Sequence, residues 1–141
     1  MFYKPILLPL LMQVLLTFLV WVCMYVTRLR EMQRKNLSPQ QLALRSGTRE
    51  LLTDSAGPAE NFSNLFEMPV LFYVAVLLSL VLLIQDELLV TLAWAYVISR
   101  SIHSIVHCTY NRVLHRFTMY MVSSLVLTMM WLRLGLYILT Q

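Results

Sequence analysis

The feature that most constrains the fold is an uncharged, largely apolar stretch at residues 5–27. A helix needs roughly 20 consecutive apolar residues to cross a hydrocarbon core about 30 Å thick, and this stretch is longer than that. Across the 141 residues 59% are hydrophobic and 13% charged, whereas soluble domains are roughly 45–50% apolar. The sequence therefore predicts an integral membrane protein with a retained first span. A cleaved signal peptide is the alternative, but the stretch is too long and lacks a small-x-small cleavage site.

Three further apolar segments follow a polar loop at about residues 28–57. We predict additional spans at about 58–84, 88–110 and 114–139. Their connections are short, which favours an antiparallel four-helix bundle. The fold class predicted for residues 1–141 is thus a single all-α membrane domain.

Two local signals predict irregularities. In the loop, residues 38–41 read Ser-Pro-Gln-Gln, the form of a helix N-cap followed by proline and a capping box. We expect a short surface helix there that ends near Gly47. In the second span, Pro69 removes one backbone hydrogen bond, so we expect a kink near Leu65.

The basic residues indicate an orientation. The first loop carries Arg28, Arg30, Arg34, Lys35, Arg45 and Arg49. The third connection carries Arg112 and Arg116, and the second carries none. By the positive-inside tendency these two loops face the cytoplasm and both termini face the other side. Because the basic residues flank the spans, membrane topology explains the net charge of +4. No nucleic-acid partner is therefore expected.

A polar face interrupts the third span. Arg100, His103 and His107 recur at helical spacing and share one side of a helix. Similar stripes lie on the second and fourth spans. Together the three stripes contain Asn61, Asn64, Glu67, Arg100, His103, His107, Tyr110, Asn111, Arg116, Tyr120, Ser123 and Ser124. Ionisable groups in a bilayer are expensive, so these stripes are the candidate functional region.

Charge balance within this region favours an anionic ligand. An arginine near a helix centre costs about 2.5–3.5 kcal/mol to insert, so Arg100 needs a partner. Glu67 is the acid expected inside the spans, and it cannot neutralise all the arginines. Forked guanidinium groups suit carboxylates and phosphates. The structural alternative is that Glu67 pairs with Arg100 and the histidines bond to backbone carbonyls. In that case Arg112 and Arg116 would reach the membrane interface by snorkelling.

Two other site chemistries have weaker support. His103 and His107 at i,i+4 could begin a metal site, but the sequence lacks an HExxH glutamate and has three histidines in all, so no metal ligands are assigned. A proton- or substrate-coupled transporter would be expected to show an internal repeat and a pair of broken helices, and neither is evident. Cys23 and Cys108 lack CxxC spacing and are interpreted as packing residues.

Nearly the whole chain resembles a known family, the membrane-associated proteins in eicosanoid and glutathione metabolism (MAPEG), in particular its bacterial members. The segments that carry the resemblance are Arg28-Leu-Arg30, Asn64-Leu-Phe-Glu67-Met-Pro-Val-Leu-Phe-Tyr73, Arg100-x-x-His103-x-x-x-His107 and Arg116-x-x-x-Tyr120. The spacing is similar to that of the prostaglandin E synthase branch. The sequence departs from that branch at His107, where the branch has Tyr, at Glu60 and Ser63, where it has arginines, and near Gln40 and Gln41, where it has an Asp.

The resemblance implies a homotrimer that binds glutathione as co-substrate between neighbouring subunits, with the site open to the cytoplasm. It implies Arg116 as the catalytic residue beside the sulfur. The binding residues it implies are Arg28, Asn64, Glu67, Arg100, His103, His107 and Tyr120. The expected activity is a transferase or peroxidase acting on lipophilic molecules that arrive from the bilayer, with the bacterial inner membrane as location. The alternative is a non-catalytic trimer whose stripe binds another small anion or locks the helices together.

Overall fold

The computed structural model describes residues 5–43 and 45–140, and its regular elements there are helices. These are α1 (Leu7–Arg34), α2 (Arg45–Leu51), α3 (Ala56–Asn64), α4 (Met68–Val81), α5 (Glu87–Cys108) and α6 (Val113–Leu139). Four segments are long and apolar enough to cross a membrane: α1, α3 with α4, α5 and α6. The prediction of an all-α fold with four membrane-spanning segments is confirmed.

The loop differs from the prediction of one short helix ending near Gly47, which was wrong. Residues Pro39–Leu42 form a single 3₁₀ turn, and the separate helix α2 contains Gly47. The predicted capping contact is present, since the Ser38 N–H donates to Gln41 Oε1 at 2.8 Å. A Cβ on Gly47 would lie 2.7 Å from the carbonyl oxygen of Gln41. Glycine is needed there for close approach to the 3₁₀ turn rather than to end a helix.

The second span is broken where a kink was expected. Helix α3 ends at Asn64 and α4 begins at Met68, with Leu65 to Glu67 forming the turn between them. Pro69 lies in the first turn of α4, where a missing N–H costs no helical hydrogen bond. Because Glu67 lies outside both helices, it leaves the face that carries the asparagines of α3.

One half of the bundle has an apolar core, which we call the apolar half. It contains Phe72, Ala75 and Val76 of α4, Leu89, Ala93, Tyr96 and Val97 of α5, and Leu127, Met130 and Leu134 of α6. The rings of Phe72 and Tyr96 stack with their centres 4.7 Å apart. Helix α5 packs along α6 and also against α1, so it is the central helix.

Asp86 closes the apolar half. Its Oδ1 accepts hydrogen bonds from the N–H groups of Leu88 and Leu89, at 2.8 and 3.2 Å, and caps α5. Its Oδ2 accepts from Arg133 Nε at 2.8 Å, joining the end of α6. Burial of the carboxyl opposes ionisation, but these hydrogen bonds and the charge of Arg133 outweigh it and hold the Asp86 pKa below its ordinary value.

Glu31 ties α1 to α3 at the opposite end. Its buried carboxylate accepts from the Ser55 N–H at 2.8 Å, the Ser55 hydroxyl at 2.7 Å and the Asp54 N–H at 3.0 Å. The Lys35 ammonium donates to it at 2.6 Å. Glu31 thus satisfies backbone donors just before α3 begins. This fixes where α3 starts relative to the end of α1.

Candidate functional site

The second half of α5 buries polar side chains, and we call this the polar half of the bundle. Its buried members are Asn61 of α3, Ser99, Arg100, His103, Ser104 and His107 of α5, and Ser123 of α6. The stripes predicted on three spans therefore do meet inside the fold. Tyr110 and Asn111 lie beyond the end of α5 and are exposed.

Arg100 is the largest fully buried side chain, with 0% exposure. Its Nη2 donates to the carbonyl oxygen of Asn64 at 3.2 Å. Its Nε and Nη1 have no hydrogen-bond partner among the described residues. The guanidinium carbon lies 5.7 Å from the centre of the Tyr120 ring, a distance at which the ring face attracts a cation. A buried cation with free donors is expensive, and an anionic ligand would offset that cost.

The structural alternative for Arg100 is not observed. Glu67 is exposed, and none of the ion pairs in the described part of the chain joins it to Arg100. The physical reason is the helix break after Asn64, which places Glu67 in a turn. Arg100 instead contacts one backbone carbonyl and one aromatic ring, and the charge of Glu67 acts on it only from beyond ion-pair distance.

Both histidines contact Arg116. The Nδ1 of His103 lies 3.0 Å from the carbonyl oxygen of Arg116, so this nitrogen must carry the hydrogen. Arg116 Nη1 lies 3.0 Å from His107 Nε2, and since a guanidinium only donates, that nitrogen must accept. The two imidazole rings are nearly perpendicular, with centres 5.5 Å apart. The histidines thus hold both the backbone and the side chain of Arg116.

Arg116 also has an acidic neighbour that the sequence analysis did not assign to the site. Its Nη1 donates to Asn111 Oδ1 at 3.0 Å. Glu60 Oε2 lies 3.7 Å from the same Nη1 and 3.6 Å from His107 Nε2. The acid within ion-pair distance of Arg116 is therefore Glu60, whereas Glu67 acts on Arg100 through a longer-range charge interaction. The signal in the sequence was Glu60 itself, an acid at a position where the prostaglandin E synthase branch has an arginine.

Asn61 holds α3 against α5. Its Nδ2 donates to Cys108 Sγ at 3.3 Å, and its Oδ1 accepts from the Ser104 hydroxyl at 3.3 Å. A Cβ on Gly57 would lie 2.9 Å from the carbonyl oxygen of His107, so glycine permits this approach. These contacts position Glu60, one residue before Asn61, beside Arg116.

A groove of about 850 Å³ opens beside the cluster. It is lined by Arg28 of α1, Leu52 directly after α2, and Glu60 and Phe62 of α3. Its volume lies in the range of small-molecule sites, roughly 300–1,000 Å³. Arg28, predicted from the resemblance alone, is thus placed on the same groove as Glu60. A second cavity, of about 510 Å³, lies near Asp86 at the other end.

The described side chains do not form a set of metal ligands. Within residues 5–43 and 45–140, no three His, Cys, Asp or Glu side chains are grouped to hold a metal ion. His103 and His107 each use one ring nitrogen on Arg116. The arrangement instead offers hydrogen-bond donors, since Arg100 Nε and Nη1 have no partner among the described residues, and free guanidinium donors suit an anion.

Fold and site together define a polytopic membrane protein with a cationic polar cluster between its spans. The chain matches the sequence model of the MAPEG family over residues 6–136. It therefore belongs to the MAPEG family, membrane proteins of glutathione and eicosanoid metabolism. No curated protein and no solved structure matches the chain.

Proposed function

We propose that this protein is an integral membrane glutathione-dependent transferase or peroxidase acting on lipophilic electrophiles. The observation that carries the proposal is the buried Arg100, whose Nε and Nη1 lack partners among the described residues. Arg116 and Arg28 add two further cations at the cluster and its groove. Glutathione has two carboxylates, and they would supply the negative charge that this cluster lacks.

Arg116 is the residue that we assign to the sulfur. The two hydrogens of its Nη1 are used by His107 and Asn111, and its other guanidinium donors have no hydrogen bond in the described part of the chain. A cation close to a thiol with pKa about 8.5 favours the thiolate, the nucleophilic form. The thiolate would attack a carbon electrophile and expel its leaving group. With a lipid hydroperoxide it would attack the terminal oxygen, the O–O bond would break to release the alcohol, and a second glutathione would convert the resulting sulfenic acid to the disulfide and water.

The remaining residues would hold the peptide. We assign this role to Arg28, Asn64, Glu67, Arg100, His103, His107 and Tyr120. Glu67 is exposed in the single subunit, which is compatible with a site completed by a neighbouring subunit. We therefore propose a homotrimer, in which lipophilic substrates reach the site from the bilayer.

The basic first loop supports a location in the bacterial inner membrane with both termini outside the cytoplasm. In that orientation the groove beside Arg28 opens toward the cytoplasm, where glutathione is available. Reporter fusions at each terminus test the orientation, and an active cytoplasmic reporter at either terminus would contradict it.

A non-catalytic role is the second candidate, and Glu60 is the observation that favours it. Its carboxylate lies 3.7 Å from Arg116 and 3.6 Å from His107, so the cluster already has one internal anion. In this alternative the polar half stabilises helix packing or binds a smaller anion. Such a protein would bind glutathione weakly or would bind it without turning over a substrate.

A thermal-shift measurement on detergent-purified protein tests the proposal. We expect millimolar glutathione to raise Tm of the natural chain and to have little effect on Arg116→Ala. Arg112→Ala is the matched control, because Arg112 is exposed and lies one helical turn away, and it should respond like the natural chain. No shift in the natural chain would reject the glutathione hypothesis.

Turnover separates the two candidates if binding is found. Conjugation of an aryl halide and reduction of a lipid hydroperoxide should be assayed separately. We expect Arg116→Ala to lower kcat/KM by about 100-fold, the usual effect of removing one donor to a developing anion. A protein that binds glutathione but is inactive in both assays supports the non-catalytic role.

A further inference from the structure

Among the described residues that line the groove, two are charged, Glu60 and Arg28. The Glu60 side chain is 62% exposed, so it faces the groove rather than the packed interior. Arg28 lines the same groove on α1. Arg116 lies next to Glu60, with 3.7 Å between Nη1 and Oε2. A ligand in the groove therefore meets Glu60 and Arg28, with the charge of Arg116 close behind Glu60.

The contact between Glu60 and Arg116 leaves the Glu60 carboxylate able to accept further hydrogen bonds. Both hydrogens of Arg116 Nη1 already serve His107 and Asn111 at 3.0 Å. At 3.7 Å the Glu60 carboxylate is a charge neighbour and not a hydrogen-bond acceptor for this nitrogen. The contact of Glu60 with His107 likewise involves Oε2, which lies 3.6 Å from His107 Nε2. The side chain is 62% exposed, so its other oxygen, Oε1, can accept a hydrogen bond from a ligand in the groove.

We propose that Glu60 makes the groove selective for a ligand that carries an ammonium group next to a carboxylate. This rests on the proposed glutathione function, because the γ-glutamyl end of glutathione has both groups on one carbon. Its ammonium would donate to Glu60, and its carboxylate would accept from Arg28 or Arg116. A charge-assisted hydrogen bond of this kind is directional and discriminates strongly against a ligand that lacks the donor.

The competing role for Glu60 is simple screening of Arg116. A carboxylate this close lowers the positive potential that any anion meets. Neutralising it would then strengthen the binding of every anionic ligand, with or without an ammonium group. Selectivity predicts the opposite result for an ammonium-bearing ligand, so the two roles are separable by comparing two ligands.

The experiment measures Kd by calorimetry for glutathione and for glutathione acetylated at its α-amino group. We expect the natural chain to prefer glutathione by at least about tenfold, the size of one hydrogen bond to a charged group. In Glu60→Gln we expect this preference to fall to about twofold or less. Glu60→Asp keeps the charge and should retain part of the preference. Glu50→Gln, an exposed acid on α2, is the control and should match the natural chain.

Each outcome has a distinct meaning. If the natural chain binds both peptides equally, or if Glu60→Gln keeps the preference, Glu60 does not recognise the ammonium and the selectivity proposal is overturned. If Glu60→Gln binds both peptides more tightly by the same factor, Glu60 acts by screening alone. If the natural chain binds neither peptide at millimolar concentration, the proposed function fails together with this inference.

Discussion

The two halves of the bundle bury their side chains in opposite ways. In the apolar half, Phe72 stacks on Tyr96 and apolar side chains fill most of the space between α4, α5 and α6, where the Tyr96 hydroxyl is buried without a partner among the described residues. In the polar half, Arg100, His103 and His107 are equally buried, yet each has a ring or guanidinium nitrogen without a partner among the described residues. The same helix α5 carries both environments.

This contrast separates residues that stabilise the fold from residues that serve a site. Packing contacts are lost outright when a core side chain is shortened. A buried cation with unfilled donors already costs free energy, so its removal need not destabilise. Substitutions in the apolar half should therefore change stability, and substitutions in the polar half should change ligand binding.

The largest stability effect is expected in the apolar half. Phe72→Ala removes a fully buried ring that stacks on Tyr96 at 4.7 Å. The cavity should lower the free energy of unfolding by about 3 kcal/mol. The measurement is Tm in detergent, with Leu77→Ala as control, since Leu77 is 52% exposed on the same helix. Equal Tm for both variants would show that the apolar half is not the stabilising core.

A smaller loss is expected at the junction of α1 and α3. Glu31→Ala leaves the Ser55 N–H and hydroxyl without their acceptor. Leaving a buried donor unsatisfied should cost about 1–3 kcal/mol. Gln33→Ala, an exposed position on the same helix, should change Tm little. Because this junction holds α3, Glu31→Ala should also weaken the glutathione shift, and an unchanged shift would show that Glu31 has no part in positioning the groove.

The sharpest test of the contrast is Arg100→Met, which replaces the buried cation with an apolar side chain. We expect the free energy of unfolding to stay the same or to rise by about 1 kcal/mol, so Tm should not fall. The variant loses one hydrogen bond but no longer pays the cost of burying a cation. The glutathione shift should disappear. A strong fall in Tm without ligand would instead make Arg100 a structural residue and remove the contrast.

The smallest effect on stability is expected when the pH is lowered and Asp86, at the end of the apolar half, becomes protonated. In the folded state the pKa of Asp86 is held below its ordinary value of 3.8. Its contribution is therefore complete above that value and is lost as pH falls through the folded pKa. Since Arg133 is 43% exposed, we expect about 1 kcal/mol or less. Tm measured from pH 6 to pH 3 should fall more in the natural chain than in Asp86→Asn, which retains a good N-cap residue.

The sequence alone was enough to predict the membrane spans and the polar face of the third span. Span length is set by bilayer thickness, so composition and residue spacing were enough to predict four membrane-spanning helices. Helical periodicity likewise placed Arg100, His103 and His107 on one face. The proline of the second span indicated where that segment would be distorted.

Only the tertiary structure decided which acid lies beside Arg116. Periodicity extended one helix through Asn61, Asn64 and Glu67, but the break before Met68 removes Glu67 from that face. Glu60 then lies beside Arg116 because Asn61 and Gly57 hold α3 against the end of α5. Such contacts join residues far apart in the chain, and their distances depend on how helices pack. Local spacing does not encode that packing.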